Sequence, residues 1–283
     1  MNTFDANTWV GRWPFSFADA HTPRSLAAHL KRHGIARALV SPLDAVFAPA
    51  PQPANRALLA ATRRQRGLVP VPVINPALAG WRDDLAEVAA DRRVRAVRLL
   101  PNYHDYRLDA PAVDALIGEL QRRGLRLVIQ MQLIDHRHEY HALSIKPVPA
   151  DDLAALLRRH RRVPVLASGL LRPDLLSLAP RHPNLLADLS FAEWHDTMEH
   201  LLARVPARQL AFASHTPLLL TAAARAKLDT STLRAAPKRA IAAAVSARGT
   251  GLDADSETTI AAGAIPRARS VASAVRLWLI VPR

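Results

Sequence analysis

The feature that most constrains the fold of this chain is a rhythm in which short apolar runs alternate eight times with longer amphipathic runs. The apolar runs LRLVIQM (125–131) and VPVLAS (163–168) are typical of parallel strands that helices cover on both sides. Alternation of this kind predicts an α/β fold with a parallel sheet. Eight units in 283 residues favour a closed (β/α)8 TIM barrel, as a single domain, over an open doubly wound sheet.

Turn and capping residues set the predicted boundaries. Strands are expected at Thr3–Val10, Ile35–Val40, Leu68–Ile74, Val94–Leu100, Leu125–Met131, Val163–Ala167, Leu185–Leu189 and Gln209–Ser214. Helices are expected at 23–33 with Thr22 as N-cap, 53–65, 81–90, 111–123, 151–160, a short one from 173, 194–204, and a last one from about 217. The barrel is assigned to residues 1–248. Residues 249–283 are rich in Gly, Ser and Thr without an amphipathic period, and they predict an irregular, poorly structured tail.

Composition excludes several classes of protein. The chain has no cysteine, so disulfides and thiolate metal sites are excluded. The net charge is +14, but the arginine clusters fall near predicted helix C-termini, where cations meet the helix dipole favourably, so we expect no nucleic-acid partner. No apolar run is long enough for a membrane helix, and the N-terminus lacks a secretory signal pattern. A cytoplasmic protein with a small-molecule ligand is expected, and a homo-oligomer remains open.

Candidate site residues lie where the strands end, because the active sites of such barrels lie at the C-terminal ends of the strands. Carboxylates and imidazoles there are candidate acid–base groups, and they make up the predicted catalytic set: Asp5, His104, Asp188 and His215. Arginine, amide, hydroxyl and indole groups suit ligand binding. They make up the predicted substrate-binding set: Asn7, Trp9, Arg12, Arg98, Asn102, Gln130, Gln132 and Ser168.

Several of these residues have simpler explanations that the sequence leaves open. Asp5 and Arg98 could form a structural ion pair, and His104 could be hydrogen-bonded to the backbone in a loop. An aromatic cluster follows the first strand and either caps a planar ligand or packs the loop on the barrel rim; it consists of Trp9, Trp13, Phe15 and Phe17.

Several segments resemble the amidohydrolase-related (amidohydrolase 2) family, a TIM-barrel branch of the metal-dependent hydrolases that includes small-ring hydrolases and nonoxidative decarboxylases. They are FDANTWVGRWPF, VPVPVINPAL, VRAVRLLPNYHDYRLD, RGLRLVIQMQ, NLLADLS and QLAFASHTPLL. The resemblance covers residues 1 to about 228, and the NYHDYRLD and FASHTP segments are the most distinctive. It implies a hydrolase whose metal is held at the ends of the strands.

The positions that the resemblance assigns to metal ligands depart from the family pattern together. The histidine pair after the first strand is replaced by Asn7 and Trp9, and the later ligand positions hold Gln130, Ser168 and His215. Indole has no lone pair for a metal, and neutral amides are weak ligands for a transition metal. A divergent branch with a degenerate, metal-free site and no cofactor is therefore expected. The alternative is a divalent metal such as zinc in a non-standard site on the His-rich loop 136–141.

The sequence thus predicts an amidohydrolase-like hydrolase that acts on a small, carboxylated molecule through a metal-free site. Two alternatives remain open at this point: a non-catalytic ligand-binding barrel and a decarboxylase-like lyase. A third possibility, an interaction protein that uses the basic surface, would require salt-sensitive binding to a polyanion.

Overall fold

The computed structural model describes residues 3–15, 20–135, 137, 140 and 143–245. Within these ranges the strands are β1 (Thr3–Val10), β2 (Ile35–Pro42), β3 (Leu68–Pro70), β4 (Ala96–Leu99), β5 (Arg126–Gln130), β6 (Val165–Ser168), β7 (Leu185–Asp188) and β8 (Leu210–Ala211). The helices are α1 (Pro23–Arg32), α2 (Gln52–Thr62), α3 (Trp81–Ala89), α4 (Pro111–Arg123), α5 (Ala150–Arg159), α6 (Arg172–Leu178), α7 (Thr197–Leu202), α8 (Thr221–Asp229) and α9 (Ala235–Ala242).

All strand pairs are parallel, and they close into one barrel. β1, β2 and β3 pair in sequence order, and so do β4 to β8. Two isolated β-bridges join these two groups of strands: Val73 pairs with Arg98, and Thr8 pairs with Thr216. The closure between β1 and the chain after β8 is strengthened by the Ala6 N–H, which donates to the Phe212 carbonyl at 2.9 Å. The predicted TIM barrel is confirmed.

β3 ends early because a side chain from α2 replaces part of the ladder. Asn55 is fully buried; its Nδ2 donates to the Val73 carbonyl at 2.8 Å and its Oδ1 accepts from the Val73 N–H at 2.8 Å. One amide thus satisfies the backbone of a residue that lies beyond the regular pairing, as buried backbone groups require. This amide holds the chain of β3 beside Arg98 of β4.

The barrel interior changes from apolar to polar along the strands. Its lower part is an apolar cluster closed by Ala244 and Val245, which includes Phe4, Leu39, Val69, Ala96, Val128, Leu166, Leu186 and Ala211. Side chains on a strand return to the same face every two residues. Two positions after Ala96, Val128, Leu166 and Leu186 the interior residues are polar, and they are Arg98, Gln130, Ser168 and Asp188. A buried polar layer therefore lies on top of the apolar one.

The N-terminus of α1 is fixed by the capping residue that the sequence indicates. Thr22 Oγ1 accepts from the Ser25 N–H at 3.1 Å, and Ser25 Oγ accepts from the Thr22 N–H at 3.0 Å. Together the two side chains form a capping box, which satisfies two of the free N–H groups of the first turn.

Replacing Thr22 with alanine is expected to lower the free energy of unfolding by about 1 kcal/mol, because the Ser25 N–H loses its acceptor. Urea unfolding of the purified chain measures this change. Thr22→Ser, which keeps the hydroxyl, serves as the control and should stay within a few tenths of a kcal/mol of the parent. Equal losses in both variants would mean that the threonine methyl group, not the cap, stabilises the helix.

Some predicted boundaries differ from those observed. The last of the predicted helices, α8, begins at Thr221 rather than near Pro217, because the Leu218 and Leu219 N–H groups both donate to the His215 carbonyl and form a turn first. The helix predicted at 194–204 begins at Thr197 instead, and Trp194 lies before it. Its indole is 67% exposed, against the Arg172 guanidinium.

The division at residue 248 remains a prediction. Residues 246–283, which include the predicted tail, lie outside the described residues. In the part of the chain that the structure describes, no helix has the length and apolar character needed to cross a membrane.

Candidate functional site

The polar layer at the C-terminal ends of the strands brings together seven of the residues predicted from the sequence. These side chains are buried to the same extent as the core below them; they are Asp5, Asn7, Trp9, Arg98, Gln130, Asp188 and His215. Buried polar groups are costly unless they are hydrogen-bonded, so the bonds among them define the site.

The cationic centre of the layer is Arg98. Its Nε donates to Ser41 Oγ at 2.9 Å, and its Nη1 donates to Asn7 Oδ1 at 3.0 Å and to Gln130 Oε1. The guanidinium lies 4.4 Å from the centroid of the Trp9 ring, a cation–π distance. Burial lowers the pKa of Arg98 to about 9, so the side chain remains a cation at neutral pH. Its Nη2 has no hydrogen-bond partner among the described residues.

Asn7 connects this cation to the acidic side of the site. Its Nδ2 donates to Asp188 Oδ2 at 2.9 Å and is 2.8 Å from His215 Nδ1, while its Oδ1 accepts from Arg98. Its backbone N–H donates to Asp5 Oδ1 at 3.0 Å. Asn7 therefore contacts four of the candidate residues, three through its side-chain amide and Asp5 through its backbone N–H.

Asp188 is saturated with donors. Oδ1 accepts from the Ser190 hydroxyl at 2.6 Å, from the Ser190 N–H at 3.1 Å and from the Gly169 N–H at 3.3 Å. Oδ2 accepts from Asn7. These four donors occupy the lone pairs of the carboxylate, so they are not free to take a proton from a substrate or a water molecule.

Both ring nitrogens of His215 are also engaged. Nε2 lies 2.6 Å from the Leu133 carbonyl, which can only accept, so Nε2 carries the hydrogen. Nδ1 then accepts from Asn7. The ring lies edge-on against Trp9 and Phe191. Burial in these surroundings lowers the pKa of His215 to about 4, so the imidazole is neutral at pH 7.

Asp5 is the carboxyl group of the layer whose pKa burial raises. Its Oδ1 accepts from the N–H groups of Asn7 and of Ser214, both at 3.0 Å, whereas Oδ2 has no hydrogen-bond partner among the described residues. Burial raises the pKa of Asp5 from 3.8 to about 7, and hydrogen bonds from Ser214 and Asn7 oppose the rise only in part. The Asp5–Arg98 ion pair considered from the sequence is not formed directly, because Asn7 contacts both residues and lies between them.

The other predicted residues lie outside this network. His104 Nε2 donates to the Ala45 carbonyl at 3.0 Å, the backbone contact considered as its simpler explanation, and burial lowers its pKa. Asn102 donates to the Lys146 carbonyl, and Gln132 donates to the Ile134 carbonyl. Arg12 is exposed beyond the end of β1.

Ser168 lies inside the barrel at the end of β6, and its hydroxyl has no partner among the described residues. The sequence offers no signal for the Leu133 carbonyl as a partner of His215, because a backbone acceptor is available at every residue and only the folded loop selects one. Ser41 has the correct position at the end of β2, but its link to Arg98 spans 57 residues of chain.

A cavity and a patch of aromatic rings lie over the mouth of the barrel. The cavity has a volume of about 260 Å³ and is lined by Trp13, Phe15, Leu133, Ile134, Asp135, Leu218 and Leu219. Neighbouring ring centroids in the patch are 5.1–6.0 Å apart, and the rings are those of Trp13, Phe15, Phe47, Tyr103 and Tyr140. Leu133 lines this cavity and also accepts from His215, so the cavity adjoins the polar network. Phe17 lies outside the described residues.

The residues of the polar layer do not fit a divalent metal. Among the described residues, no group of three or more His, Asp or Glu side chains is placed to hold an ion. The ligand candidates that are present are already engaged: His215 Nε2 carries its hydrogen, and the oxygens of Asn7 and Gln130 accept from Arg98. His136, His138, Glu139 and His141, considered for a non-standard zinc site, lie outside the described residues.

Comparison with known proteins reveals similarity only at the level of structure. Neither a scan against protein families nor a search of curated protein sequences finds a match. Among solved structures, the chain is similar to 2,6-dihydroxybenzoate decarboxylase from Rhizobium (TM-score 0.63, 13% identity, covering 85% of this chain and 96% of that one).

Two further structures are similar to the same extent. One is 5-carboxyvanillate decarboxylase from Novosphingobium aromaticivorans, complexed with manganese and a nitrobenzoic acid (TM-score 0.64, 12% identity, covering 85% and 93%). The other is a protein from Staphylococcus aureus whose assignment as an amidohydrolase is provisional (TM-score 0.66, 9% identity, covering 86% and 97%). At these identities the likeness establishes the barrel fold and leaves the chemistry to the residues of the site.

Proposed function

We propose that this chain is an amidohydrolase-related barrel of the decarboxylase-like type, which binds a small planar carboxylate and releases it as CO2. The similar decarboxylases act on carboxylated aromatic rings, and the aromatic patch over the mouth of this barrel suits the same class of ligand. The observation that carries the proposal is that the two bases a hydrolase would need are engaged, whereas an acid and a cation remain available.

Hydrolysis requires a group that takes a proton from the attacking water. Asp188 accepts four hydrogen bonds, and His215 already uses its only free lone pair to accept from Asn7. Neither is placed to activate water. Decarboxylation adds no water to the substrate. It needs an anchor for the carboxylate and a proton donor, so the described residues favour a lyase over the hydrolase predicted from the sequence.

The anchor in this proposal is Arg98, with the indole N–H of Trp9 beside it. Arg98 Nη2 and Trp9 Nε1 are buried donors without a partner among the described residues, and together they suit an anionic oxygen pair. Leu133 and Trp13 belong to the apolar cluster that includes Trp9, so ligand entry requires these side chains to move apart.

The proton donor in this proposal is Asp5. Its proton adds to the ring carbon that bears the carboxylate, the bond between that carbon and the carboxylate breaks, and its electron pair restores the aromatic ring as CO2 leaves. Asp5 then regains a proton from solvent, so the net change is one carboxylate and one proton converted to one C–H bond and CO2. Because burial raises the pKa of Asp5 to about 7, a fraction of this carboxyl group retains its proton at neutral pH, which suits the role of donor.

The test is turnover of 2,6-dihydroxybenzoate and 5-carboxyvanillate by the purified chain, followed as CO2 release and by NMR of the product. Asp5→Asn keeps the shape of the protonated acid without its acidity, and we expect it to lower kcat by at least about 100-fold while ligand binding, measured by tryptophan fluorescence, is unchanged. Asp109→Asn, an exposed change, is the matched control. Turnover that is equal in Asp5→Asn and the parent would remove Asp5 from the mechanism.

A second function, ligand binding without catalysis, is favoured because most hydrogen-bonding groups of the polar layer are already paired with one another. Asn7 uses every donor and acceptor of its side chain on neighbouring residues. Saturable fluorescence quenching by benzoates without CO2 release would support this alternative and contradict the lyase. Release of ammonia or alcohol from cyclic amides or lactones would instead restore the hydrolase.

A further inference from the structure

We propose that the guanidinium group of Arg98 stands in for the divalent metal of this barrel type and keeps metal ions out of the site. The inference does not depend on the reaction, because it concerns which cation the polar layer contains. It is motivated by a disagreement between the manganese of a similar structure and the side chains present in this chain.

The guanidinium is held on three sides. Neutral oxygens accept from it, those of Ser41, Asn7 and Gln130, and the Trp9 ring covers its face at 4.4 Å. Fixed acceptors in these directions select a planar fork of N–H donors, which is the geometry of arginine and not of a spherical ion.

Two of the three acceptors, and the aromatic ring over the guanidinium, lie at the substituted ligand positions. The family resemblance assigns Asn7, Trp9 and Gln130 to positions where metal ligands are expected, and each of them contacts Arg98. These three replacements therefore form one set: two amide oxygens turned towards a cation, and an aromatic ring that attracts it.

The other two replacements do not hydrogen-bond to Arg98, because the Ser168 hydroxyl has no partner among the described residues and His215 contacts Asn7 and Leu133. Independent loss of metal ligands would not be expected to leave three of the five substitutes in contact with one buried arginine.

The charges of the layer also balance without a metal. Asp188 is connected to Arg98 through Asn7, so one carboxylate and one guanidinium neutralise each other across one amide. A divalent ion that used the oxygens of Asn7 and Gln130 would displace hydrogen bonds from Arg98 and lie beside its positive charge, and like charges at that separation repel strongly in a buried site.

The first measurement uses the unmodified chain. It is incubated with excess MnCl2 or ZnCl2, dialysed and analysed for bound metal, and its melting temperature is recorded with MnCl2 and with EDTA. We expect less than one tenth of an equivalent of metal and no shift in melting temperature, since an ion that bound the folded state would raise it. One equivalent of retained metal would overturn the proposal.

The second measurement distinguishes the effect of Arg98 on metal binding from the effect of the missing histidine ligands. Asn7→His/Gln130→His supplies two imidazoles beside Asp188 but keeps Arg98, and we expect it to bind Mn²⁺ no better than the parent. Adding Arg98→Met should strengthen binding at least about tenfold, read from the electron paramagnetic resonance signal of free Mn²⁺. Tight binding by the variant that keeps Arg98 would contradict the proposal, and this comparison stands even if the Arg98→Met variant does not fold.

Discussion

Replacing Gly169 with alanine is expected to lower the free energy of unfolding by roughly 3 to 4 kcal/mol. The residue has φ +80°, and an added Cβ would lie 2.2 Å from the Gln132 carbonyl oxygen and 3.1 Å from Gln130 Nε2. The left-handed backbone costs a residue with a Cβ about 1 to 2 kcal/mol, and overpacking a rigid site adds about 1 to 3 kcal/mol.

Gly34 provides a matched control. It also has positive φ, +68°, but an added Cβ there meets no atom within 4 Å. Gly34→Ala should therefore cost only the backbone part, about 1 to 2 kcal/mol, and the difference between the two variants in urea unfolding isolates the contact with Gln132. Equal losses at both positions would show that the turn after β6 has room for a methyl group.

The same variant tests the organisation of the site. The Gln132 carbonyl accepts from Gln130 Nε2, and Gln130 Oε1 accepts from Arg98. A methyl group at Gly169 would collide with the Gln132 carbonyl and so displace the Gln130 side chain that donates to it. Because Gln130 also accepts from Arg98, the position of the guanidinium should change. The fluorescence of Trp9, which lies on that guanidinium, should change in Gly169→Ala and stay unchanged in Gly34→Ala.

Much of the barrel was predictable because its signals are local. The capping box at Thr22 and the left-handed Gly124 after α4 act within a few residues, and strand boundaries such as Thr3–Val10 follow from composition. The features missed were those set by distant partners. α9 (Ala235–Ala242) is short and Ala-rich, and Ile241 and Ala242 are buried by packing under the barrel.

The sequence was sufficient to predict which residues lie in the site, but not which hydrogen bonds they form with one another. Position near a strand end is sufficient to nominate Asn7, Arg98 and Asp188, because the active sites of such barrels lie there. Alternation alone does not place Asp5 and Asn7 inside the barrel together with Phe4, because the pairing of β1 with β2 is irregular in this stretch. Whether Asp5 pairs with Arg98 directly depends on side-chain geometry across several strands. The sequence left that pairing open, and the structure places Asn7 between the two groups instead.

The second large effect concerns pH. The folded pKa of Asp5 is about 7 and its usual value is 3.8, so between these values the unfolded chain has lost the proton that the folded chain retains. Deprotonation therefore favours the unfolded state. Asp5 should lower the free energy of unfolding as the pH rises from about 4 to about 7, by roughly 3 to 4 kcal/mol in all, and contribute no further change above that pH.

Asp5→Asn should remove this dependence, because the amide mimics the neutral acid and its Oδ1 can still accept from Asn7 and Ser214. The variant should be close to the parent in stability at pH 4 and more stable than the parent at pH 8. His215 acts in the opposite direction: with a folded pKa of about 4, its stabilising effect is lost as the pH falls below its usual 6.5. That effect is common to both chains and cancels in the difference between their urea unfolding curves.

The difference curve therefore reports Asp5 alone, and Asp109→Asn, an exposed change, provides the baseline. A constant difference between Asp5→Asn and the parent from pH 4 to pH 8 would mean that Asp5 is ionised in the folded protein throughout. Asp5 would then hold no proton at neutral pH, and the proposed decarboxylation would lose its acid. A rising difference would connect stability to chemistry, because the carboxyl group that destabilises the barrel at high pH is the one proposed to donate the proton. Any decarboxylation rate should then fall as the pH rises above about 7.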